Sequence, residues 1–92
     1  MLFEWDDAKE KLNVLKHGID FSTAALVFGD PIRIEKFDEK HSENENRYIT
    51  IGRINVSVIV LVYTERKAAI RIISARLATK REEEAYYNAE EY

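Results

Sequence analysis

The chain has no cysteine, one proline, three glycines and two histidines among its 92 residues. Without cysteine there can be no disulfide, thiolate metal site or thiol nucleophile, and two histidines supply too few ligands for a zinc site. The expectation is a metal-free, cofactor-free cytoplasmic protein. No apolar run approaches the roughly 20 residues that a membrane span requires. The longest candidate, residues 56–62, contains Ser57, and the opening Met1-Leu2-Phe3-Glu4-Trp5-Asp6 lacks the pattern of a signal peptide. Low-complexity segments and repeats are missing too, so residues 1–92 read as one globular domain. A chain of this size buries roughly 60 to 65% of its unfolded surface, which favours a shallow groove over a deep cavity.

What is present is an uneven distribution of charge. The net charge is -3 and the pI about 5.4, yet residues 47–81 hold eight of the fourteen basic side chains against the single acid Glu65. That block is locally +7. Its cations thread through strand-like stretches, so a rigid sheet would hold several of them in place as a compact site for a polyanion.

Residues 2–5 read as a short strand, and Asp6 can cap a helix over residues 7–17 whose apolar stripe is Ala8, Leu12 and Leu15. Gly18 suits the left-handed end of that helix, with Ile19 folding back on the last turn. Asp20 caps a second helix with Phe21, Ala24, Ala25 and Phe28 on its core side, stopped by Gly29-Asp30-Pro31. The period then changes to two over residues 32–35, and 38–46 is a polar loop. Strands follow over 48–53, 56–64 and 69–74, with turns near Asn55 and near Glu65-Arg66-Lys67. Thr79-Lys80-Arg81-Glu82 has capping-box spacing and opens a last helix that carries Tyr86 to the core. The order β-α-α-β-β-β-β-α predicts an α+β fold, with helices on one face of an antiparallel sheet.

The residues also carry a resemblance. Phe3-Glu4-Trp5-Asp6, Lys9, Asn13, Lys16-His17-Gly18, Phe21, Ala24-Ala25, Val27-Phe28 and Asp30-Pro31 resemble the opening pattern of the BrnT family, toxins of type II toxin–antitoxin systems. His41-Ser42, Glu45, Arg47, Ile51-Gly52, Tyr63-Thr64, Arg66, Arg71-Ile72-Ile73-Ser74-Ala75-Arg76, Ala78, Glu82 and Tyr86 continue it. The pattern departs at Glu83, where the family often has arginine, and at Asp7, where many members have proline. The resemblance implies a RelE-like fold and ribonuclease activity on messenger RNA. It also implies neutralisation by a BrnA-type antitoxin, in a complex expected to hold two toxins and two antitoxins and to reach operator DNA only through the antitoxin.

Metal-free RNA cleavage uses the ribose 2′-hydroxyl as nucleophile. The protein must remove its proton, stabilise the phosphorane and protonate the leaving 5′-oxygen. Arg66 and Arg76 are the expected phosphate-gripping cations, because a guanidinium binds two phosphate oxygens at once; the resemblance points to the same two positions. Either can instead be a solvated arginine or pair with Glu45 or Glu65. Arg71, five residues before Arg76, would face the opposite side of an unbroken strand, so it serves the same site only if the strand ends or bulges near Ser74; a structural salt bridge is its favoured role. Arg47, Lys67 and Lys80 are expected on the substrate path, with Lys67, Lys80 and Arg81 as solvated side chains that add field without contacting the scissile phosphate. His41 is the expected proton-transfer group, with a backbone-bonded loop histidine as the alternative. Glu45 can orient His41, act as base or be merely solvated. Tyr63 can stack on a base and donate a proton, or simply pack in the sheet. His17, Trp5 and the Phe21/Phe28 stripe are read as structural. A non-catalytic module that binds RNA or antitoxin through the same basic sheet is the competing reading, and a degenerate relative that has lost toxicity is a third. Cover of the basic groove is expected from the antitoxin, because the acidic tail of Glu82, Glu83, Glu84, Glu90 and Glu91 is too short for self-pairing.

Overall fold

A computed structural model describes residues 1–89 of the chain; Glu90 and Glu91 of the acidic tail lie outside the described residues. Five strands, β1 (Leu2–Glu4), β2 (Ile34–Phe37), β3 (Arg47–Ile54), β4 (Ser57–Arg66) and β5 (Ala69–Leu77), form one sheet in the order β1-β5-β4-β3-β2. The helices are α1 (Asp7–His17), α2 (Phe21–Ala24) and α3 (Lys80–Asn88), with short 3-10 turns at Ala25–Gly29 and Glu39–His41. The element order is the expected one. The sheet, however, is mixed: β1 runs parallel to β5, while the other pairs are antiparallel. A parallel partner is possible there because α1, α2 and three intervening strands return the chain to β1, a connection no hairpin could replace.

Local signals set most boundaries. The Asp6 carboxylate accepts from Lys9 N–H at 3.0 Å, and Gly18 closes α1 at φ 72° with its N–H donated to Val14 C=O. Asp20 accepts from Thr23 N–H at 2.7 Å, and Thr79 and Glu82 complete the reciprocal capping box of α3. The tight β3–β4 and β4–β5 turns place Asn55 and Lys67 at φ 55°.

Three corrections concern the helices. The stripe Ala8, Leu12 and Leu15 does not enter the core: Leu12 is 65% and Leu15 83% exposed, whereas Asn13 is buried. The Asn13 amide donates to Ala75 C=O at 2.8 Å and accepts from Ala75 N–H at 3.1 Å. It serves β5 in place of β1, which stops after three residues. Glu10, on the same side, accepts from Phe21 N–H at 2.9 Å and starts α2. After Ala24 the chain tightens into a 3-10 turn, so Val27 is fully buried and Phe28 only half-buried.

The helices also lie on both faces. One core layer joins Phe21, Ala24 and Val27 to Ile59, Leu61, Tyr63, Ile72 and Ala75. A second, on the opposite face, joins Tyr86 of α3 to Ile51, Val58 and Val60. The alternation of β4 makes this possible, since its odd residues point one way and its even residues the other. Gly52 lets the 3-10 turn approach β3: a Cβ there would lie 3.1 Å from Val27 Cβ and 3.2 Å from Val27 O. Tyr86 donates its hydroxyl proton to Asp30, whose carboxylate also accepts from Arg53 N–H at 2.8 Å and Ile32 N–H at 3.0 Å. Burial, then the Asp30 carboxylate, push the Tyr86 phenol up to about 12. No helix among the described residues is long and apolar enough to cross a membrane.

Candidate functional site

Helix α3 covers only part of its face, and the uncovered remainder is the basic end of the sheet. Arg47 of β3 is paired opposite Thr64, and Thr64 opposite Arg71 of β5, which puts Arg47 and Arg71 on one face. Arg66, two residues beyond Thr64, shares it. The register of β4 and β5 slips at Val62/Tyr63: Val62 pairs with Ser74 but Tyr63 with Ile72, leaving Ile73 as the extra residue. That bulge cancels the odd spacing of Arg71 and Arg76, so both project from the α3-bearing face.

The cations on this face differ in what already holds them. Arg76 grips Glu82 through two parallel bonds of 2.7 and 2.9 Å. The guanidinium, followed by Thr79 N–H, holds the Glu82 carboxyl at about 2, and the same contact raises Arg76. Arg76 therefore anchors α3 in this conformation. Arg71 makes a 3.5 Å ion pair with Glu4, linking β1 to β5. Glu45 stands between Arg47 (3.6 Å) and Arg66 (3.5 Å). The Nε of Arg47 is buried without a hydrogen-bond partner, and the Arg66 side chain is 55% exposed.

The loop between β2 and β3 brings the remaining groups. His41 Nδ1 lies 3.0 Å from the Asp38 carboxylate, which is nearly buried, while the imidazole itself is open to solvent. Asp38 thus orients His41, one of the three roles left open for Glu45; the Asp-x-x-His spacing was the available signal. Ser42 ties the loop together, donating to Asp38 C=O at 2.5 Å and accepting from Arg47 N–H at 2.9 Å. Thr64 fastens its end by donating to Asn46 C=O at 2.6 Å. His41, Glu45 and Arg47 line one open cavity of about 500 Å³ together with Lys40, Glu43 and Asn44.

Three further expected site residues do not line this cavity. Tyr63 is in the core of the opposite face, stacked on Tyr48 at 5.4 Å and edge-on to Phe28 at 5.2 Å, with its hydroxyl donated to Glu35 at 2.5 Å. Burial first, and then Glu35, raise its phenol far above the ordinary range. The packing alternative for Tyr63 is the observed one. Lys67 occupies the left-handed turn after Arg66, and Lys80 opens α3, both exposed. No group of three or more metal-ligating side chains occurs among the described residues.

Carboxylate, imidazole and guanidinium groups line one open cavity, in which Lys40 and Arg47 offset Glu43 and Glu45, with Arg66 joined to it through Glu45; groups of these types can act on a phosphodiester. The family description "Ribonuclease toxin, BrnT, of type II toxin-antitoxin system" matches residues 5–82, and the chain belongs to this family. No curated protein matches it. Membership makes it a ribonuclease toxin with an antitoxin partner.

Proposed function

We propose that the chain is a cytoplasmic, metal-independent endoribonuclease that cleaves messenger RNA at the open basic end of its sheet, on a RelE-like scaffold. The supporting observation is convergence: Glu45 sits within 3.6 Å of both Arg47 and Arg66, and lines one cavity with His41. A scissile phosphate entering there takes over the arginines from Glu45. The guanidinium of Arg47 and the exposed fork of Arg66 then serve the equatorial oxygens, whose charge grows in the phosphorane. Glu45, displaced but adjacent, accepts the 2′-hydroxyl proton as the oxygen attacks phosphorus. His41, oriented by Asp38, protonates the departing 5′-oxygen, and the products are a 2′,3′-cyclic phosphate and a 5′-hydroxyl. Arg71, Lys67 and Lys80 add positive field along the path of the strand. Arg76 joins the phosphate site only where Glu82 releases it.

A BrnA-type antitoxin, in a two-to-two complex that reaches operator DNA through the antitoxin alone, neutralises the toxin by contacting this basic face. The test is induction of the chain with and without the adjacent reading frame, followed by mapping of RNA ends. Growth arrest with new 5′-hydroxyl ends, both abolished by co-expression, is the expected result. Arrest without RNA cleavage would favour the binding-module reading instead.

A further inference from the structure

The outward face of α1 is apolar and open to solvent. Ala8, Leu12 and Leu15 form a straight i, i+4, i+7 row, and the two leucines are 65% and 83% exposed. The helix is held by its other side, through Asn13 to Ala75 and Glu10 to Phe21. The leucines therefore contribute nothing visible to the described fold. Helical spacing places Lys11 along one margin of the row and Lys9 and Lys16 along the other, with Asp7 the only acid on the outward side. An apolar ridge between lysines matches one occupant: an amphipathic helix whose apolar stripe is bordered by glutamate or aspartate. A second copy of this chain fits poorly, because pairing two such faces brings lysines against lysines.

We infer that the outward face of α1 is a docking surface for an acid-flanked amphipathic helix of the antitoxin. This rests on the toxin–antitoxin reading and adds a contact separate from the RNA site. α1 lies against the edge of β5 near Ala75, whereas Arg47, Arg66 and His41 occupy the uncovered end of the opposite face. A helix on α1 leaves the arginines open, so the antitoxin holds the toxin at one place and blocks RNA at another. The molecule is about 25 Å across its short axes, and a connecting segment of roughly eight extended residues spans that distance.

The experiment compares the parent, Leu12→Glu/Leu15→Glu and Lys9→Glu/Lys11→Glu/Lys16→Glu. Each is titrated with the purified full-length product of the adjacent reading frame, and each is tested for growth arrest alone and with that product. The leucine variant should lose roughly a hundredfold or more in affinity and escape neutralisation, while arresting growth and melting as the parent does. The lysine variant should bind more weakly, and its binding should respond less to salt than the parent's. Leucine-variant binding within twofold of the parent would overturn the inference while leaving the toxin–antitoxin reading intact. A parent that dimerises alone, and becomes monomeric on leucine substitution, would overturn it in favour of self-association. A parent that the adjacent product neither binds nor neutralises would overturn both.

Discussion

Replacing Arg76 with alanine removes both bonds to Glu82 while leaving the capping box of α3 in place. The Glu82 carboxyl is held at about 2 against an ordinary 4.5, and Arg76 is the largest cause. Taken whole, that depression corresponds to about 3 kcal/mol. Thr79 supplies part of it, and water reaches both side chains, so about 1 to 2 kcal/mol is the expected loss for Arg76→Ala. In a domain of this size that lowers the melting temperature at pH 7 by roughly 5 to 12 °C. Because the folded-state pKa of Glu82 is depressed, its contribution is complete above about 4.5 and disappears as pH falls toward 2. The parent and variant should therefore differ fully at pH 7 and converge near pH 2, as followed by circular dichroism melts across that range. An equal difference at pH 7 and pH 2, or a difference under roughly 1 °C at pH 7, would refute the anchoring role. RNA cleavage then separates structure from chemistry. Glu82→Ala destabilises α3 more, because it also opens the capping box, but it frees the guanidinium. If Arg76 also grips phosphate, Arg76→Ala loses cleavage and Glu82→Ala keeps it. A parallel fall would assign Arg76 to α3 alone.

Asn13→Ala strands the Ala75 N–H and C=O in a buried setting and should cost about 2 to 3 kcal/mol in denaturant unfolding; a loss below about 0.5 kcal/mol would show that water replaces the amide. Gly52→Ala presses a methyl group against Val27 at 3.1 Å and should cost about 1 to 3 kcal/mol by the same measurement, whereas unchanged stability would mean that the 3-10 turn shifts freely. His41→Gln should slow RNA cleavage roughly a hundredfold and flatten its pH profile; an unchanged rate from pH 5 to 8 would leave His41 a loop residue. Tyr63→Phe should keep cleavage near the parent rate while losing the bond to Glu35, and a drop of about a hundredfold would return Tyr63 to the chemistry.

The short-range features of the fold were legible because each depends on residues close in sequence. Asp6, Gly18, Asp20 and the Thr79–Glu82 box mark helix ends through bonds spanning four residues or fewer. The strands of the meander announced themselves by period and turn. The orientation of α1 did not, since its apolar stripe satisfies the usual rule and only the bond from Asn13 to Ala75, 62 residues away, shows that a polar residue faces inward. The two-sided placement of helices was hidden for a related reason: residues 58–63 are apolar on both faces, so alternation cannot say which layer a helix joins. Among site residues, the five-residue spacing of Arg71 and Arg76 makes a salt bridge the favoured role of Arg71 and lets the two share a face only where the strand ends or bulges near Ser74. The register slip at Val62/Tyr63 supplies the bulge. Asp38 escaped notice because an aspartate in a charged loop looks solvated until its distance to His41 is known.

The most direct test of the proposed site is a single-turnover cleavage assay on end-labelled RNA with excess chelator, comparing the parent with Arg47→Ala/Arg66→Ala. The parent should produce fragments ending in 2′,3′-cyclic phosphate. The double variant, folded by circular dichroism, should cleave at least about a thousandfold more slowly. A folded double variant that cleaves at the parent rate would contradict the assignment of the phosphate to the basic end of the sheet.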